Sequence, residues 1–180
     1  ITKNAAATDG GGLYISYTAT LAVNDGEISD NTAQNDGGGI FLLGSDAIID
    51  GGKLTGNYAK HYGAALRAFA YTVDDVQYTS KLQIKNGTIS GNTAGDSAAV
   101  AVSTTKLTMS GGSVIGNTAH KNAAGVLVMS NSEMTFSGGS ISYNTAAELN
   151  GGLFISSRSK LTMTGGIVSH NPCKNTGAGV

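Results

Sequence analysis

KLTMSGGSVIGNTA, residues 106–119, returns as EMTFSGGSISYNTA at 133–146 and as KLTMTGGIVSHN at 160–171. Self-similarity at a fixed spacing is the signature of a repeat architecture, and it governs how every other residue is read. Within the phrase Leu107 and Met109 alternate with polar residues, as do Met134 and Phe136, and Leu161 and Met163. A period of two puts neighbouring side chains on opposite faces, so each stretch reads as a strand with one face buried. A Gly follows (Gly112, Gly139, Gly166), then an aliphatic residue (Val114, Ile141, Val168), then Asn (Asn117, Asn144, Asn171).

The same order extends over the whole chain. The Gly recurs as Gly26, Gly52 and Gly87, and the Asn as Asn4, Asn31, Asn57 and Asn92. A third phrase of small residues then an aliphatic runs from GGGLYI at 10–15 through SAAVAV at 97–102 to GAGV at 177–180. Its anchors are Leu13, Ile40, Leu66, Val100, Val126, Leu153 and Val180, with steps of 27, 26, 34, 26, 27 and 27. Only the third step departs, by about eight residues, and it holds AYTVDDVQYTSK, an insertion loop at about 70–80.

Three short strands fit each coil: one at the anchor, one before the marker Gly and one after it. No segment carries the spacing of an amphipathic helix. An all-β, right-handed parallel β-helix of about seven coils, about 26–27 residues each, follows. At ~4.8 Å per coil the rod is ~29 Å long. The markers have physical roles in such a stack. A Gly before a strand supplies positive φ at a corner, and an Asn repeated at one corner can hydrogen-bond its own copies. Ala33, Ala94, Ala119 and Ala146, after Asn-Thr, leave room for the corner to turn inward.

Composition narrows the function classes. Lys+Arg is 11 and Asp+Glu 12, a net charge of −1, so there is no basic footprint for nucleic acid. The single cysteine, Cys173, precludes an internal disulfide. No apolar run approaches the ~20 residues of a membrane helix. Both ends of the 180 residues are repeat phrases, which reads as one β-helix segment of a longer repeat protein.

The pairing of GG-aliphatic with aliphatic-x-x-Asn resembles the GGA[ILV]/FxxN repeats of polymorphic outer-membrane and related surface proteins. More broadly it is similar to right-handed parallel β-helix, pectin-lyase-like repeats. Ile, Val or Leu stands where that motif has Phe. The resemblance implies an extracellular or cell-surface adhesin or fibre.

Several candidate sites emerge. Asn4, Asn31, Asn57, Asn92, Asn117, Asn144 and Asn171 form a column that reads as a structural ladder, because a specific site should break the period rather than follow it. The insertion has Tyr58, His61, Tyr62, Arg67, Asp74, Asp75, Tyr78 and Lys81 around it. Lyases of this fold use acids for calcium and a basic residue as proton abstractor, and Asp74, Asp75 and Arg67 could imitate that set. Adjacent aspartates on a strand point to opposite faces, however. Asp9, Asp36 and Asp96 lie four residues before their anchors, with Tyr62 and Asn122 at that place in the third and fifth coils. The first two are the candidate ligands for calcium. Thr108/Ser110, Thr135/Ser137 and Thr162/Thr164 form an outward array similar to those of ice-binding proteins.

Tyr14, Phe41, Leu127 and Phe154 follow anchors on the outward face and read as a lateral interface. Asn86-Gly87-Thr88 is a candidate glycosylation acceptor. The three histidines, His61, His120 and His170, sit in different coils and make no paired metal motif. The expectation is a non-catalytic structural or adhesive segment. Its partners would be further coils or other chains, end-to-end or lateral, and carbohydrate. A polysaccharide lyase or hydrolase and an ice-binding face are the alternatives.

Overall fold

The computed structural model describes residues 1–180 and contains strands and turns but no helix. Three sheets of parallel strands wind around a single apolar column, each with six levels. The anchor sheet stacks Leu13–Ser16, Ile40–Leu43, Leu66–Phe69, Val100–Ser103, Val126–Met129 and Leu153–Ile155. Its pairing places Leu13 over Ile40, Ile40 over Leu66, Leu66 over Val100, Val100 over Val126 and Val126 over Leu153. Val180, the seventh anchor by spacing, lies outside these strands and is exposed. The levels therefore number six, and Gly179 O accepts from Leu153 N at the start of the next turn.

The two strands expected on either side of the marker Gly are one strand in the middle coils. Asp46–Thr55, Ser80–Ser90, Thr105–Ile115 and Glu133–Ser142 run through it. The register shifts around Asn86 and Ser110, so the strand bends at a bulge without leaving its ladder. The Gly has positive φ in all six copies, from 71° at Gly52 to 90° at Gly87 and Gly139, a conformation costly for any other residue. The third sheet lies instead at the Asn corner. It consists of two-residue strands, from Ala5–Ala6 to Thr145–Ala146. The alanines second in these pairs, Ala33, Ala59, Ala94, Ala119 and Ala146, are buried.

Alternation dictates the core. Ile40, Leu66, Val100, Val126 and Leu153 form one buried column, and Leu54, Ile89, Val114 and Ile141 another. Between them lie Leu82, Leu107 and Met134, and Ile84, Met109 and Phe136. The small pair before each anchor is small for space. A Cβ on Gly39 would come within 2.6 Å of Ala65 O and 3.2 Å of the Asn57 side chain. The two recurrent phrases thus meet, the small residues leaving room for the Asn amides.

The insertion is not an irregular loop. Tyr71–Val73 and Val76–Tyr78 pair antiparallel, and Asp74 and Asp75 turn the chain at φ 48° and 61°. Positive φ at both central residues is the turn whose twist matches a hairpin.

Candidate functional site

The Asn column is fully engaged within the protein. Asn31 Nδ2 donates to Asn57 Oδ1, Asn57 to Asn92, Asn92 to Asn117, Asn117 to Asn144 and Asn144 to Asn171, all at 2.9–3.0 Å. The same Oδ1 atoms accept the backbone N–H of the preceding Asn. The second amide hydrogen reaches a strand carbonyl, as from Asn57 to Ile28 and from Asn117 to Ile89. Asn4 joins the chain through Asn31, and Asn31 through Asn171 are buried. No polar atom of the interior ladder is left to meet a ligand. The residue before each Asn is left-handed in every copy: Lys3, Asp30, Gly56, Gly91, Gly116, Tyr143 and His170.

The acidic residues divide into two places. Asp9 Oδ1 accepts from Asp36 N–H and Asn35 Nδ2. Asp36 Oδ1 accepts from Tyr62 N–H, while its Oδ2 lies 3.2 Å from Arg67 Nε. Arg67 is buried, donates to Ala68 O and Ser103 Oγ, and lies against the rings of Tyr62 and Phe69. Burial raises the Asp36 carboxyl and lowers the Arg67 guanidinium, in each case outweighing the pairing between them. Asp96 does not continue this column, because Ser97 is the residue that pairs with Tyr62 and Asn122. One residue fewer separates Ser97 from its anchor, so equal sequence offset is not equal height. Asp96 instead meets Lys121 Nζ and His61 Nδ1, each at 2.6 Å. No group of three or more His, Cys, Asp or Glu side chains is gathered as metal ligands would be.

The other expected sites are rearranged as well. Arg67 engages Asp36 and Ser103, while Asp74 and Asp75 form the exposed hairpin tip. The outward column of the anchor sheet is not an open patch, which corrects the expectation for Phe41 and Leu127. Tyr14 is 48% exposed, but Phe41, stacked on it at 5.2 Å, is 7% exposed and Leu127 is 4%. Phe154 is half-buried. Ala98 and Ala123, just ahead of the anchors, pack with Ala101 and Leu127 in a small apolar cluster outside the tube, and Tyr62 and Met129 flank it. Thr108, Thr135 and Thr162 do align. Ser110 pairs with Gly138 rather than Ser137, so the bulge breaks the second column of the array. Asn86 is exposed beside its bulge and accepts from Gly87 N–H. Cys173 bridges to Ala146, at the position of the buried corner alanines.

One feature has no counterpart among these expectations. The hairpin leans toward the Tyr17–Thr18 corner and borders an open recess of about 280 Å³ lined by Tyr17, Thr18, Tyr71, Val73 and Tyr78. Tyr17 meets Tyr71 edge-on at 5.2 Å, and Tyr71 and Tyr78 are 6.1 Å apart. Its only trace in the sequence is an aromatic residue at a corner where the next coils have Gly44, Ala70 and Thr104.

Parallel pairing in every sheet of the tube, an internal Asn ladder and a coil of about 27 residues describe one architecture, and a family model for the right-handed β-helix region matches residues 24–180. The chain belongs to the right-handed β-helix family. The match takes in the hairpin and all of the Asn ladder except Asn4. No curated protein and no solved structure matches this β-helix chain. Since both enzymes and non-enzymes share the β-helix, function must be argued from its sites.

Proposed function

We propose that the chain is a rigid, non-catalytic β-helical scaffold in an extracellular or cell-surface protein, and that it acts by adhesion. The observation that carries this reading is the disposition of the recurrent polar residues. The interior asparagines spend their amide groups on each other and on strand carbonyls. Asp36 and Asp96 are likewise held by Arg67 and Lys121. Hydrolysis or elimination on a polysaccharide requires carboxylates or a base presented to substrate. These side chains instead tie successive coils together, which suits a stiff rod that displays its surface.

A paired assay on the purified chain tests the proposal. It reads new reducing ends from a set of polysaccharides, and retention of the chain on the same polysaccharides and on immobilised surface proteins. Retention without new ends is the expected result. New ends that vanish in carboxylate variants would replace the scaffold by an enzyme. Absence of both retention and turnover would remove the adhesive role.

A further inference from the structure

The hairpin is the one interruption of the repeat, and it carries a recess lined by three tyrosines. We propose that this recess, between Tyr71–Tyr78 and the Tyr17–Thr18 corner, binds a neutral hexose unit of a glycan. The proposal rests on the adhesive reading above and names where contact is made.

Three observations converge. The first is shape. Tyr71 and Tyr78 are tilted by 30° to one another and form a floor, while Tyr17 stands at 80° to Tyr71 as a wall. The volume of about 280 Å³ is at the small end of ligand cavities, ~300–1,000 Å³, and suits one or two sugar rings. The second is placement. The corner is left-handed in other coils as well, at Gly44, Thr104, Ser130 and Ser157, where small residues stand. Only the first coil puts a ring there, and that ring, Tyr17, is 63% exposed.

The third observation is chemical. Thr18 and Tyr78 are shared with a neighbouring polar depression, also about 280 Å³, which Asp46, Gln77, Thr79 and Lys81 line. An aromatic floor with a rim of hydroxyl, amide and carboxylate groups complements a pyranose. Its C–H face lies on the ring faces, which carry negative charge density, and its hydroxyls meet the rim. One acid and one base on that rim balance, which favours a neutral sugar over a charged one. A proline-rich peptide also stacks on aromatic grooves, but it would leave this rim without partners.

Three of the seven tyrosines line the recess and there is no tryptophan, so an emission change that is lost in the recess variants reports on it. The whole chain is titrated with cellohexaose, mannohexaose and maltohexaose, followed by emission and by calorimetry. At least one should bind and alter the emission. Tyr17→Ala and Tyr71→Ala should each weaken it ~10-fold, and Tyr17→Phe should leave it within ~3-fold. Should Tyr71→Ala disorder the hairpin, the exposed Tyr17 decides. No binding by any of the three sugars overturns the proposal, as does binding indifferent to both alanine variants. So does tyrosine-dependent binding of a proline decapeptide in place of the sugars. If the chain adheres to polysaccharide equally well with Tyr17→Ala, adhesion stands and only this site falls.

Discussion

Asn92 stands in the middle of the ladder. It receives the backbone and side-chain N–H of Asn57, and donates to Asn117 Oδ1 and Leu54 O. Asn92→Ala would orphan groups on both sides in a buried setting, at ~1–3 kcal/mol for each unsatisfied group. Denaturant unfolding should show a loss of several kcal/mol, whereas Asn4→Ala, at an exposed position with one ladder neighbour, should cost under ~1 kcal/mol. Asp96 provides a pH handle. Its hydrogen bond from Lys121, with His61 adding to it, holds the carboxyl below its ordinary value of 3.8. A depressed carboxylate contributes stability that is present above the unfolded value and is lost as pH falls through the folded one. Asp96→Asn should therefore flatten the acid side of the stability–pH curve, as read from melting temperature against pH.

At the scale of elements, the hairpin and the coil that bears it are separable. Removing Tyr71–Tyr78 would return the 34-residue step between Leu66 and Val100 to the length of its neighbours. Ser80 stays in place through its own bonds, accepting from Ser45 N–H and donating to Phe69 O. The deletion should give a folded β-helix with a melting temperature close to that of the parent, since a two-stranded hairpin adds little stability in water. Circular dichroism on heating checks this. Loss of the cooperative transition would mean that the hairpin is part of the fold. The strands themselves were legible to different degrees. Leu107 and Met109, or Met134 and Phe136, announce a strand because burial of one face imposes the period of two. Thr118–Ala119 does not, because two residues hold no period. The marker Gly looks like a break between strands because alternation stops there, yet backbone pairing carries through the bulge.

Across the whole molecule, stability is built from coil-to-coil interfaces, approximately a sum of neighbouring terms. A residue covered on both sides by other coils should then matter more than its equivalent in a less covered coil. Leu107 is 1% exposed, between Leu82 and Met134, while Leu161 at the same height of its coil is only half-buried. Leu107→Ala should cost ~2–5 kcal/mol. Leu161→Ala should cost less than half as much, in the same denaturant titration.

The sequence by itself determined the winding. The anchors from Leu13 to Leu153, the copies of Gly112 and the copies of Asn117 recur because every coil meets the same kind of neighbour above and below, so each level demands the same kind of residue. Only the tertiary structure decided which polar groups remain free, which outward residues are covered, and what meets across coils. Ser97 rather than Asp96 aligns with Tyr62 because height in a stack follows hydrogen-bond register, and one residue fewer before Val100 shifts it. Phe41 and Leu127 lie under cover because the segments ahead of the anchors turn back over that face, a contact between side chains that the order of residues does not display. Tyr17 meets Tyr71 because the hairpin of the third coil folds back over Gly44 in the second and reaches the first. Such an encounter occurs once, so it leaves no repeat to read.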